Sequence, residues 1–144
     1  MNTAPSPTPE QTVQILVLDD SREELHLMRC VMEDLRVAYP VRYFERAFSL
    51  IACLDRQAHA SGSAFLIFTD WRLNQALSEA NNLAQIRQHH VGELCPIAVM
   101  SNHLTEADRA RCRDLGANYI FDKPADYEQL LHTVQGILRA EYLL

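Results

Sequence analysis

Three short runs of consecutive apolar residues, Ile15-Leu16-Val17-Leu18, Phe65-Leu66-Ile67-Phe68 and Ile97-Ala98-Val99-Met100, constrain this chain more than any other feature. None alternates apolar with polar residues, so none suits a strand with one wet face. They read as strands over Gln14–Leu18, Ala64–Thr69 and Pro96–Met100, covered on both faces, the pattern of a parallel sheet. Each run also ends at a polar or charged residue: Asp19, Thr69-Asp70 and Ser101.

Between the runs the period changes to that of helices. Ser21-Arg22-Glu23-Glu24 matches the S-x-x-E capping box, and Leu25, Met28, Met32 and Leu35 follow as one stripe. Val41 to Phe44 reads as a second strand, and Leu50, Ile51 and Leu54 mark a weaker second helix. A third helix is expected over Asn82 to Gln88. Thr105-Glu106-Ala107-Asp108 opens a fourth, which Gly116 closes as a left-handed cap. Asn118 to Asp122 makes a fifth strand. A last helix starts at Asp126, with Gln129 completing its box, and turns Leu130, Leu131, Val134, Ile137 and Leu138 inward. Five strands alternating with five helices argue for an open parallel sheet with helices on both faces.

At 144 residues the chain has room for one domain. Residues 1–12, with Pro5, Pro7 and Pro9 among Thr, Ser, Gln and Glu, hold too little apolar surface to order themselves and read as a flexible tail, leaving 13–144 as the domain. With 13 basic against 19 acidic residues, the net charge of -6 disfavours direct nucleic-acid binding. No apolar run approaches a membrane span, and the first residues lack the basic and apolar regions of a leader, so the cytoplasm is the expected location. Cys30, Cys53, Cys95 and Cys112 show no C-x-x-C spacing and are expected as buried, reduced thiols.

Ligands of open parallel sheets sit beyond the carboxyl ends of the strands. There the sequence places Asp19-Asp20, Asp70, Ser101 and Asp122-Lys123-Pro124. Taken singly these are ordinary: acids favoured by a helix N-terminus, a turn residue, a turn. Gathered at one sheet edge they are not. Two like charges about 4 Å apart repel by roughly 4 kcal/mol at an effective dielectric of 20, so three carboxylates in one pocket need protons or a cation. Hard oxygen ligands suit Mg²⁺, and Lys123 would add a second positive charge.

The motifs VLDD at 17–20, FTD at 68–70, Ser101 after an apolar strand, and DKP at 122–124 preceded by GA at 116–117 make residues 14 to 140 similar to the receiver domain of bacterial two-component response regulators, of the stand-alone, CheY-like kind. The resemblance implies a flavodoxin-like α/β fold with sheet order 2-1-3-4-5. It also implies roles: Asp70 as phosphoacceptor, Asp19, Asp20 and Asp70 with the Arg72 backbone carbonyl as Mg²⁺ ligands, Ser101 as switch hydroxyl and Lys123 as phosphate-pairing lysine. The implied partner is a histidine kinase or histidine phosphotransfer protein, the expected output a changed protein-binding surface, and the chain a signalling protein, not an enzyme. In that family the Lys-Pro bond is often cis. Two rival readings are a receiver-like module that binds without being phosphorylated and a Mg²⁺-dependent phosphohydrolase with an aspartyl nucleophile. Against the second stand Arg72, where a second acid would be needed, and the lack of a cap-like insertion.

Departures from the family pattern are equally visible. Asn74 and Glu79 replace an expected Pro and Gly, so the loop Leu73 to Asn82 is unusual. The switch aromatic is Ile120, flanked by Tyr119 and Phe121, which alternation puts on the opposite face. A readout without an aromatic swing is therefore expected. Asn102, where the family usually has a small residue, is expected to narrow the approach to Asp70. His103 and His89-His90 read as solvated, Trp71 as a partly exposed packing residue, and the C-terminal Tyr142 to Leu144 as helix-end packing or a homodimer contact.

Overall fold

The computed structural model describes residues 13–57, 64–71, 83–84, 86–87 and 95–144. Five strands, β1 (Val13–Leu18), β2 (Val41–Phe44), β3 (Ala64–Asp70), β4 (Ile97–Ser101) and β5 (Tyr119–Asp122), form one sheet in the order β2-β1-β3-β4-β5, every pair parallel. Four helices have defined bounds among the described residues: α1 (Arg22–Asp34), α2 (Ala47–Gln57), α3 (Glu106–Asp114) and α4 (Tyr127–Ala140). Leu83, Ala84, Ile86 and Arg87 are also helical, where the sequence places its third helix. Residues 1–12, Arg72, the loop 73–82 and His89-His90 lie outside the described residues.

Strand alternation sorts the apolar runs onto two faces. Leu16, Leu18, Phe65, Ile67, Ile97 and Val99 point to a core closed by α2, Leu83, Ile86 and Cys112. Ile15, Val17, Leu66, Phe68, Ala98 and Met100 point to the core under α1 and α4. Both faces of the central strands are thus dry, which is why their sequences do not alternate. Of the cysteines, Cys53, Cys95 and Cys112 are buried and Cys30 is half-buried, all unpaired.

Helix starts follow local chemistry in part: the boxes expected at Ser21 and Asp126 are each half made, whereas that at Thr105 is complete. Asp126 accepts from the Gln129 amide at 2.8 Å, and Thr105 and Asp108 form a reciprocal capping box. At the end of α3, Gly116 (φ 92°) and Ala117 donate back to Arg113 and Cys112 in the Schellman pattern. At Ser21 the expected box is only half made. The Ser21 hydroxyl accepts from the Glu24 amide at 3.3 Å, but the Ser21 amide donates to Asp19 Oδ1 at 2.9 Å, and Glu24 points elsewhere.

Candidate functional site

The carboxyl edge of the sheet gathers the acids because backbone pairing continues just past the strands. The Asp19 amide donates to the Phe44 carbonyl at 3.0 Å, Trp71 to Met100 at 2.9 Å and Lys123 to Ser101 at 2.7 Å. Three residues that follow different strands are thereby held in register with their neighbours. Trp71, expected to be partly exposed, is only 5% exposed. With β3 extended by that bond, alternation turns its indole to the same face as Phe65 and Ile67, into the core under α2.

Asp19 and Ser101 are fully covered, Asp70 is buried and Asp20 half-buried. Carboxylate oxygens of Asp19, Asp20 and Asp70 all lie within 4.8 Å of one another. The Lys123 ammonium is 2.8 Å from Asp19 Oδ2 and 3.4 Å from Asp70 Oδ2. Its side chain is only 8% exposed and that of Asp19 1%, so this is a buried ion pair. Removing one partner of such a pair leaves an uncompensated charge, at a cost of about 3–5 kcal/mol. Burial opposes the lysine charge, but the hydrogen bond that Lys123 donates to Asp19 and the charges of Asp70, Asp19 and Glu24 outweigh it, and the pKa of Lys123 stands above the usual lysine value.

Asp19 is fixed through both oxygens, one to Lys123 and the other to the Ser21 amide. Asp19, Asp20, Asp70, Ser101 and Lys123 are therefore brought to one edge, while Arg72 lies outside the described residues. Three carboxylates converging beside the Lys123 ammonium form a set of hard oxygen donors, which fits a small divalent cation.

Glu24 was hidden from sequence reasoning. Its carboxylate stands 3.8 Å from Lys123 Nζ. The S-x-x-E pattern assigned that carboxylate to the cap; only the proximity of Asp19 to the Ser21 amide, a contact between neighbours at the strand end, releases it. Beside it a pocket of about 300 Å³ opens, lined among others by Lys123, Pro124, Asn102 and Leu27. Asn102 is exposed at its rim and His103 is exposed on the same loop. No cis peptide bond occurs among the described residues, so Lys123-Pro124 is trans, contrary to the family tendency.

On β5, Ile120 packs on the α2 face and Tyr119 and Phe121 on the α1/α4 face, as alternation requires. The Tyr119 hydroxyl donates to Glu141, which, with burial, pushes its pKa up to about 12. Away from the site, Arg87 forms a staple: its guanidinium donates to the carbonyls of Cys95 (2.8 Å) and Gly116 and to Asn118 Oδ1 (2.8 Å).

A parallel sheet of order β2-β1-β3-β4-β5, covered on both faces and with an acid cluster and a lysine at its carboxyl edge, defines a flavodoxin-like α/β domain. The family model for the response regulator receiver domain matches residues 15–135, and the chain belongs to that family. Solved structures with the same fold include the Mn²⁺-bound response regulator Rcp1 (23% identity, TM-score 0.72, covering 90% of this chain and 94% of that one). The phosphorylated cyanobacterial phytochrome response regulator RcpA is similar at 24% identity and TM-score 0.72, over 88% and 91% of the two chains. A receiver domain from Rhodospirillum rubrum aligns at 21% identity and TM-score 0.73, over 86% and 89%. At these identities the likeness speaks to fold alone. A search of curated proteins returned no match. No helix among the described residues is long and apolar enough to cross a membrane.

Proposed function

We propose that the chain is a phosphorylation-driven switch in which Asp70 accepts a phosphoryl group from the phosphohistidine of a kinase or phosphotransfer protein. An Asp70 oxygen attacks phosphorus; the new P–O bond forms as the donor's P–N bond breaks, and its electron pair leaves on the imidazole nitrogen. A divalent cation, Mg²⁺ in the cell, held by Asp19, Asp20, Asp70 and the Arg72 carbonyl, would neutralise charge on the transferred oxygens. Lys123, already 3.4 Å from Asp70, pairs with another of those oxygens, and the Ser101 hydroxyl donates to a third. The observation that carries this reading is the convergence of Asp19, Asp70 and Lys123, each next to a different strand end, within one buried cluster. The Mn²⁺ named for Rcp1 and the phosphorylation named for RcpA are consistent with it.

Phosphorylation adds roughly -1.5 to -2 charge, which draws Ser101 and Lys123 and biases the surface formed by α3, β5 and α4 toward a protein partner. On β5, Ile120 leaves no aromatic to swing toward the α2 face, and Tyr119 is tied to Glu141 on the other. The readout is therefore a shift of backbone and helix, and a structure of the activated form with Tyr119 newly buried would contradict it. The central test incubates the protein with Mg²⁺ and a small acyl-phosphate donor and reads intact mass. One phosphoryl adduct is expected in the parent and none in Asp70→Asn; an unmodified parent would favour a module that only binds.

A further inference from the structure

Three carboxylates surround the Lys123 ammonium, and they are of two sorts. Asp19 at 2.8 Å and Asp70 at 3.4 Å belong to the acid cluster that fits a cation; Glu24 at 3.8 Å does not. Glu24 is not explained by the helix start, because the Ser21 amide it would cap is taken by Asp19 Oδ1. It projects from the first turn of α1, whose backbone is fixed by the Ser21 cap, and lines the same pocket as Lys123. A cation entering among Asp19, Asp20 and Asp70 recruits their oxygens and repels Nζ, which is then left with one anionic neighbour among those three.

We propose that Glu24 is a positioning residue acting through Lys123: it receives the ammonium when Asp19 and Asp70 turn to a divalent cation, and so strengthens cation binding without touching the cation. The inference rests on reading the acid cluster as the cation site. After transfer the same residue competes with the phosphoryl group for Lys123, so it favours loading and opposes the locked state.

The test is a double-substitution cycle on the full chain, with Mg²⁺ alone titrated calorimetrically into parent, Glu24→Gln, Lys123→Met and the double variant. Glu24→Gln is expected to weaken Mg²⁺ binding by about 3–10-fold in the parent and by less than about twofold in the Lys123→Met background. Unchanged binding in Glu24→Gln, or equal weakening in both backgrounds, overturns the proposal, the latter because bare charge attraction to the cation needs no lysine. Should Lys123→Met not fold, exchange of the Lys123 ammonium protons with solvent in the Mg²⁺-saturated protein decides: several-fold faster in Glu24→Gln supports the role, and equal rates overturn it. A parent that binds no Mg²⁺ would overturn the cation reading as well, whereas a binding parent with an indifferent Glu24→Gln overturns this inference alone.

Discussion

The helices α3 and α4 flank the same strand, β5, yet are held by different means. α4 buries Leu130, Val134, Ile137 and Leu138, whereas α3 buries only Cys112. What α3 has instead are fittings at its ends: the Thr105-Asp108 box, a 2.6 Å ion pair from Arg109 to Asp122, and the Gly116 turn stapled by Arg87. A buried aliphatic side chain contributes about 1.5–3 kcal/mol, a helix cap about 0.5–2, and an exposed ion pair about 0–1. α4 is built into the core; α3 is fastened to its surface. Segments with few buried apolar contacts open at lower free energy than the whole domain. The contrast teaches that the element between Ser101 and Lys123, nearest the place where charge is proposed to change, is the one with least to lose by moving.

The contrast can be broken most directly in the core. Leu138→Ala is expected to cost about 2–5 kcal/mol in urea unfolding, and Cys112→Ala about 1 kcal/mol. Equal losses would remove the distinction. Gly116→Ala comes next, at about 1–3 kcal/mol, because a side chain at φ 92° is strained and its Cβ would lie 2.8 Å from Arg87 Nε. Native-state hydrogen exchange should show that loss concentrated in α3, with α4 amides little changed.

A smaller effect of opposite sign is expected where α1 and α4 end. Their left-handed positions carry Arg36 (φ 54°) and Tyr142 (φ 60°) instead of glycine. Arg36→Gly should stabilise by about 0.5–1 kcal/mol, measured as a raised urea midpoint at unchanged slope.

The smallest effects concern pH. Tyr119 donates to Glu141 at the end of α4, and Tyr127, in its first turn, donates to Asp34 of α1. The Glu141 bond, aided by burial, holds Tyr119 at about 12, and burial with the Asp34 bond does the same for Tyr127, both above the ordinary 10.0. Raised acids of this kind contribute stability that is complete below pH 10 and lost as pH climbs toward 12. Replacing both by Phe should flatten part of that alkaline decline. Among the described residues the remainder belongs to Lys123, to Tyr43, which burial also raises, and to Cys95 and Cys112, which burial pushes up to about 12 and about 11.

Sequence patterning carried the strands, the sheet order expected from the family, the Asp126 and Thr105 caps, the Gly116 turn and the two faces of β5. These are governed by period and by residues adjacent in sequence. Contacts between partners far apart in the chain were not legible in the same way. Arg87 reaching Gly116 and Asn118 has no local signature. Glu24 carried a misleading one, since S-x-x-E describes a cap and says nothing of a strand-end aspartate able to take the same amide. Trp71 failed for a related reason: its burial depends on β3 staying paired for one residue beyond Asp70, which a composition of Asp, Trp and Arg does not announce.

Lys123 is separated from Asp70 by 53 positions and from Asp19 by 104. Pairings over such distances form late, after costly loop closure. A nascent or damaged chain with an unfinished sheet therefore presents scattered acids and no lysine beside them, nothing a phosphodonor can use. On the proposed reading, competence to receive the signal doubles as a certificate of correct assembly, and misfolded copies are silent by construction.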